Sequence, residues 1–128
     1  MADTTRAAPG SIARQFNDAI NSRQIERLRS LMSDDHAFID TENNTLRGKS
    51  ESVEAWRGFF EAYPDYRNVF ERVICDEGTV VIVGYSTCSN QALAGPALWT
   101  AEIRDGLVAE WRVYEDTVDN RRQLAVDP

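Results

Sequence analysis

Apolar residues recur along the first part of the chain at helical spacing. Ile12, Phe16 and Ile20 fall four apart with Ala13 beside them, which makes one apolar stripe on a helix. Ser11, just after Pro9 and Gly10, is the expected N-cap. Beyond the polar break Asn21-Ser22-Arg23, a second short helix turns Ile25, Leu28, Leu31 and Met32 inward, and Ser33-Asp34-Asp35 ends it. The period then changes. His36, Phe38 and Asp40 share one face of an extended strand, and Ala37 and Ile39 share the other. The run from Thr41 to Thr45 is turn chemistry. Leu46 and Arg47 form a brief strand closed by Gly48. A third helix runs from Ser50 to Tyr63, with Val53, Trp56, Phe60 and Tyr63 at three- and four-residue spacing and Phe59 on the flank. Pro64 stops it. The remainder reads as strands over 66–75, 79–88, 96–104 and 107–115, with a short, poorly packed helix within 116–124. Helices followed by a run of antiparallel strands make an α+β pattern.

The last hairpin offers two registers. A two-residue Asp105-Gly106 loop pairs Ile103 with Val108 and Trp99 with Arg112. A three-residue loop pairs Ile103 with Leu107, Ala101 with Ala109, Trp99 with Trp111 and Ala97 with Val113. The second makes one face wholly apolar and is the expected choice, because a one-residue slip sends every side chain to the opposite face.

Length and charge narrow the function classes. The 128 residues fit one domain, expected over 11–128 after a flexible segment at 1–10. The net charge of −7 and the lack of any Lys/Arg run argue against nucleic acid or an acidic membrane surface as partners. No apolar run reaches the ~20 residues of a membrane span, and the N-terminus has no signal-like apolar core, so a cytoplasmic address is expected. Cys75 pairs across its hairpin near Val80, far from Cys88, so both are read as reduced thiols. One histidine and scattered carboxylates give no metal-ligand spacing, and no Gly-rich phosphate loop occurs, so no metal or cofactor is expected.

The order of elements, with "LRGKSESVEAWRGFF" and "IRDGLVAEWRVYED" as its most telling stretches, resembles the nuclear transport factor 2-like superfamily, and within it the SnoaL-like, polyketide cyclase-like branch. The resemblance covers about Ser11 to Leu124. It implies a curled antiparallel sheet wrapped around the N-terminal helices, a cystatin-like cone roll, with an apolar cavity inside. That cavity would be lined by Phe16, Asn17, Ile20, Phe38, Trp56, Phe59, Tyr63, Ser86, Trp99, Trp111 and Val113, with Ala97, Ala101, Ile82 and Gly84 on the same face. The resemblance also implies a homodimer through the convex face carrying Val81, Val83, Tyr85, Leu98, Val108 and Tyr114.

The chemistries of that superfamily can be tested residue by residue. In its steroid isomerases a carboxylate base falls at Asp40, where desolvation would raise its pKa toward the range useful for removing a proton beside a carbonyl. The tyrosine that polarises the carbonyl falls on Phe16, and the second donor falls near Trp99 to Ala101; one such donor is worth about 3 kcal/mol. Trp99, Tyr63 or Ser86 are the available substitutes. The Asp-Arg-Asp set of its epoxide hydrolases falls on Gly84, Ser86 and Val113, which excludes that reaction. The paired histidines of its dehydratases are ruled out by the single His36, read as a strand-end residue. Three readings stay open. The first is a cofactor-independent isomerase or cyclase of a small carbonyl-type or polyketide-like molecule, with Asp40 as general base. The second is a non-catalytic ligand-binding domain in which Asp40 caps its turn. The third is a dimeric scaffold.

Overall fold

Pro9 sits at the first helical position, where its missing N–H costs nothing, and Ala8 is the extended residue before it. The first helix, α1 (Pro9–Asn21), therefore starts two residues ahead of Ser11, which is not its cap. The structure, a computed structural model, describes residues 8–127; the stretch 1–7 of the expected flexible segment lies outside the described residues. The helix α2 (Ile25–Leu31) follows, and Met32 begins β1 (Met32–Ile39) instead of ending the helix. The order continues β2 (Thr45–Arg47), α3 (Lys49–Ala62), β3 (Arg67–Asp76), β4 (Thr79–Thr87), β5 (Gly95–Arg104), β6 (Leu107–Glu115) and α4 (Val118–Gln123). A short 3-10 turn, Gln91–Leu93, interrupts the connection between β4 and β5.

The six strands form one curled, open sheet in the order β2-β1-β6-β5-β4-β3. All neighbours are antiparallel except β1 and β6, which run parallel. The α+β cone expected from the sequence is thus present, with one parallel seam in its sheet. The helix α1 lies across the concave face, where Ile12, Phe16 and Ile20 join Ile82, Trp99 and Trp111 in the main core. No helix among the described residues is long and apolar enough to cross a membrane.

The register shifts at three places, one of them in β1 against β6 between Met32 and Ala37; the other two are single-residue bulges. In β3 the register shifts between Phe70 and Arg72, so Glu71 is the extra residue. In β6 it shifts between Val108 and Glu110, so Ala109 is the extra residue. The β5–β6 turn is the two-residue type: Asp105 and Gly106 have φ of 53° and 76°, the left-handed pair that matches strand twist. Ile103 pairs with Val108, and beyond the bulge Ala101 pairs with Trp111 and Trp99 with Val113. The expected three-residue loop, with Trp99 opposite Trp111, is therefore corrected by one pair. Its inner face survives, because the bulge restores the parity that the shorter turn had changed.

The convex face is less free than expected. Val81, Val83 and Leu98 form a second core with Val126, and Leu124 and Tyr114 lie against it. Val108 is not on this face at all; the bulge turns it into the main core. The helix α4 buries none of its residues, as expected of a poorly packed element, but polar bonds tie its ends. Thr117 Oγ1 accepts from the Asn120 N–H as N-cap, the Arg121 guanidinium donates to both Asp116 oxygens at 2.5 and 2.9 Å, and Arg121 Nη1 donates to the Asp127 carbonyl. Of the six residues proposed for a dimer face, Tyr85 stays exposed.

Candidate functional site

Curling the sheet against α3 leaves a cavity of about 600 Å³, open at one end. Its wall is aromatic. Trp56 meets Phe38 and Phe59 edge-on at 5.8 and 5.7 Å between ring centres, and Phe59 meets Tyr66 edge-on at 4.8 Å. Trp99 and Trp111 close the far side. Phe70 lies behind them, 5.4 and 6.2 Å from their rings.

The structure brings Phe38, Asp40, Trp56, Phe59, Ser86, Trp99, Trp111 and Val113 to the cavity, as the strand and helix parities implied. It does not bring four others. Phe16 and Ile20 are fully buried in the core, with Phe16 4.7 Å from the Trp111 ring and 5.7 Å from His36. Helix α1 lies too deep in the cone for them to reach the opening. Asn17 Nδ2 donates to the Asn68 carbonyl at 3.2 Å, so it supports the wall instead of lining it. Tyr63 packs 5.0 Å from the Phe59 ring and is not on the lining.

Asp40 departs most from expectation. Its carboxylate accepts from the N–H groups of Glu42 and Asn44, both at 2.9 Å, and from Asn44 Nδ2 at 3.1 Å. These bonds tie the β1–β2 turn, as a short acidic side chain does in an Asx turn. The Asn44 backbone bond leads in holding the carboxyl below the usual range, where the expected desolvation would have raised it.

Polar chemistry concentrates instead on the β3–β4 side. Ser86 Oγ donates to Asn68 Oδ1 at 2.7 Å, and Tyr66 OH lies 3.2 Å from Ser86 Oγ. Asn68 stands opposite Ser86 in the ladder, and all three residues line the cavity. Burial pushes the Tyr66 phenol above its ordinary pKa, which keeps it protonated. Asn21, at the end of α1, fixes this wall: its Nδ2 donates to the Asn68 carbonyl and its Oδ1 accepts the Asn68 N–H, both at 2.9 Å. An amide side chain thereby stands in for a missing neighbouring strand on the edge of β3. On the α3 side, Ser52 lines the same cavity with its Oγ buried and without a partner. Tyr66, Asn68 and Ser52 are absent from the residues picked by sequence. The parity of Phe70 on β3 runs back through Asn68 to Tyr66 and was the available signal.

His36 is fully buried, not at a strand end in solvent. Its Nδ1 bonds the Val108 carbonyl at 2.7 Å, and its Nε2 has no partner. Desolvation dominates and lowers its pKa from the ordinary value of about 6.5. The unfolded chain therefore binds this proton more readily than the folded one. The stability is complete above about pH 6.5 and is lost as pH falls from there toward the folded value. Urea midpoints measured near pH 7.5 and pH 5 are expected to fall on acidification in the native chain. In His36→Leu the fall should be shallower; an equal fall in both would assign the acid sensitivity elsewhere.

Among the described residues, no three His, Cys, Asp or Glu side chains are grouped to hold a metal ion. Cys75 and Cys88 are free thiols, and Cys75 pairs with Val80 across its hairpin.

A family model described as a SnoaL-like domain matches residues 13–111. No curated protein matches the chain. A candidate SnoaL-like polyketide cyclase from Jannaschia sp. CCS1 shares the fold at a TM-score of 0.75 and 17% identity, over 100% of this chain and 99% of its own. An LEH-like epoxide hydrolase from M. tuberculosis does so at 0.75 and 17%, over 91% and 89%. A cystatin fold protein from Novosphingobium aromaticivorans does so at 0.74 and 12%, over 84% and 97%. At such identities the likeness concerns the fold.

Proposed function

The chain belongs to the SnoaL-like domain family, and on that premise we propose that its cavity binds a small, flat, largely apolar molecule of carbonyl or polyketide type. The Tyr66–Ser86–Asn68 chain holds one oxygen of that molecule. The observation that carries this reading is a hydrogen-bonded polar triad, with Asn68 and Ser86 buried and Tyr66 half-buried, set into the wall of an otherwise aromatic cavity. A volume of about 600 Å³ suits a molecule of two or three fused rings. The candidate cyclase and the epoxide hydrolase among the similar structures support a small-molecule role, and a cyclase or isomerase activity is what this fold supports.

Proton removal by Asp40 is the second reading, and its place on the cavity lining favours it. Against it stand the three N–H bonds that keep the carboxylate ionised and weakly basic. A general base acts best with a pKa near the working pH. To act, Asp40 would have to let go of Asn44.

All three tryptophans, Trp56, Trp99 and Trp111, line the cavity, so occupancy is read directly by fluorescence. Titration with 2-acetonaphthone is expected to quench them saturably at one molecule per chain. Val113→Trp, which pushes an indole into the space a flat ligand would occupy, should weaken the saturable phase at least tenfold. Asp40→Asn should leave it unchanged. Quenching indifferent to Val113→Trp would remove the binding site from this cavity, and loss of binding in Asp40→Asn would bring the carboxylate into it.

A further inference from the structure

The hydrogen bonds of the cavity wall run in one direction, and the direction selects the ligand. Asn68 Oδ1 has no hydrogen to give, so the 2.7 Å bond uses the single Ser86 hydroxyl proton. With that proton committed, the 3.2 Å contact between Ser86 Oγ and Tyr66 OH is a bond that Tyr66 donates. The phenol proton is then spent inside the wall. What Tyr66 presents to the cavity is an oxygen with lone pairs and no hydrogen.

We infer that the ligand meets Tyr66 with a hydroxyl or enol hydrogen, so that the phenol oxygen accepts, and that the cavity discriminates against a ketone at that point. This deepens the reading proposed above and rests on it: of the molecules that fit the aromatic cavity, the tautomer or reduction state bearing a free O–H toward β3 and β4 is the one held. Three observations agree. Burial keeps the phenol in its neutral form, so its proton stays in the bond to Ser86. Asn21 grips the backbone N–H and carbonyl of Asn68, which holds this residue in place opposite Ser86 at the base of the proton chain. Ser52, on α3, lines the same cavity, and its buried Oγ has no partner within the protein, so turning that side chain toward the cavity would add a second donor.

Three probes on one two-ring skeleton separate the cases by calorimetry on the full chain. 2-Naphthol offers a hydrogen, 2-methoxynaphthalene offers none, and 2-acetonaphthone offers only an acceptor. 2-Naphthol is expected to bind about tenfold more tightly than the ether, the effect of one well-made hydrogen bond. Tyr66→Phe should bring 2-naphthol down to the affinity of the ether and leave the ether unmoved; a purely structural loss would weaken all three alike. The ranking in the unaltered chain stands as a test by itself if that variant does not fold. Equal binding of 2-naphthol and its ether, or a ketone preference that Tyr66→Phe removes, would overturn the inference while leaving the cavity as a binding site. Failure of all three probes to bind would overturn the site and the inference together.

Discussion

Gly84→Ala is expected to cost the chain at least ~3 kcal/mol, at the upper end of what overpacking brings. A methyl at this position would lie 2.0 Å from the Val69 carbonyl oxygen and 3.0 Å from its carbon. Both are backbone atoms of the neighbouring strand, so no side chain can swing aside to relieve the clash. The cause is the bulge at Glu71, which bends β3 over β4 just where Phe70 faces Gly84. A side chain here would force either the bulge to straighten or the β3–β4 ladder to part. Either outcome displaces Asn68 and Tyr66, so surviving protein should also lose ligand binding. Domains of this kind hold only about 5–15 kcal/mol in total, so the loss is easy to see in urea or thermal unfolding. A variant within about 1 kcal/mol of the native chain would mean that β3 approaches β4 less closely than described.

Phe16→Ala is expected to cost about 3–5 kcal/mol, the range for emptying a buried aromatic site. The ring is fully buried and lies between Trp111 and the His36 imidazole, so its loss leaves a void that neither rigid neighbour can fill. The same variant distinguishes core from cavity. Phe16 is not on the lining, so at temperatures where the variant is folded its affinity for 2-acetonaphthone should stay within about threefold of native. A large loss of affinity at small cost in stability would put the ring in the cavity after all.

These two positions show what local pattern reveals and what it hides. The stripe Ile12, Phe16, Ile20 marks one face of α1 as buried, and all three are in the core. The stripe carries no information about depth, because a core side chain and a cavity-lining side chain have the same period and the same chemistry. Gly84 falls on the inner face by parity, which is correct, yet nothing beside it in the chain announces the Val69 carbonyl above it. That contact joins residues on different strands and exists only when the bulge is made.

Asp40 illustrates a closer contest. Its parity with His36 and Phe38 aims it toward the hollow, and it does reach the lining. Yet the turn residues Glu42 and Asn44 follow within four positions and offer three N–H donors at short range. Local hydrogen bonds of this kind win over an apolar cavity, because a charged carboxylate loses far more by desolvation than the turn loses by holding it.

Periodicity within single segments was enough to give the α+β class, the succession of helices and strands, and the inward face of β1, β4, β5 and the later part of β6; it assigned no face to β3 and put Val108 on the wrong one. The sequence also carried the family resemblance that the comparison over residues 13–111 bears out. It took the folded chain to set the three register shifts, the parallel seam between β1 and β6, the burial of His36, and the cover that Leu124 and Val126 lay over the convex face. The tertiary structure alone assembled Tyr66, Ser86 and Asn68 into a directed chain of hydrogen bonds. Each of these depends on atoms distant along the chain meeting at a fixed spacing, and that spacing is set by how strands curl against one another, not by any pattern within one of them.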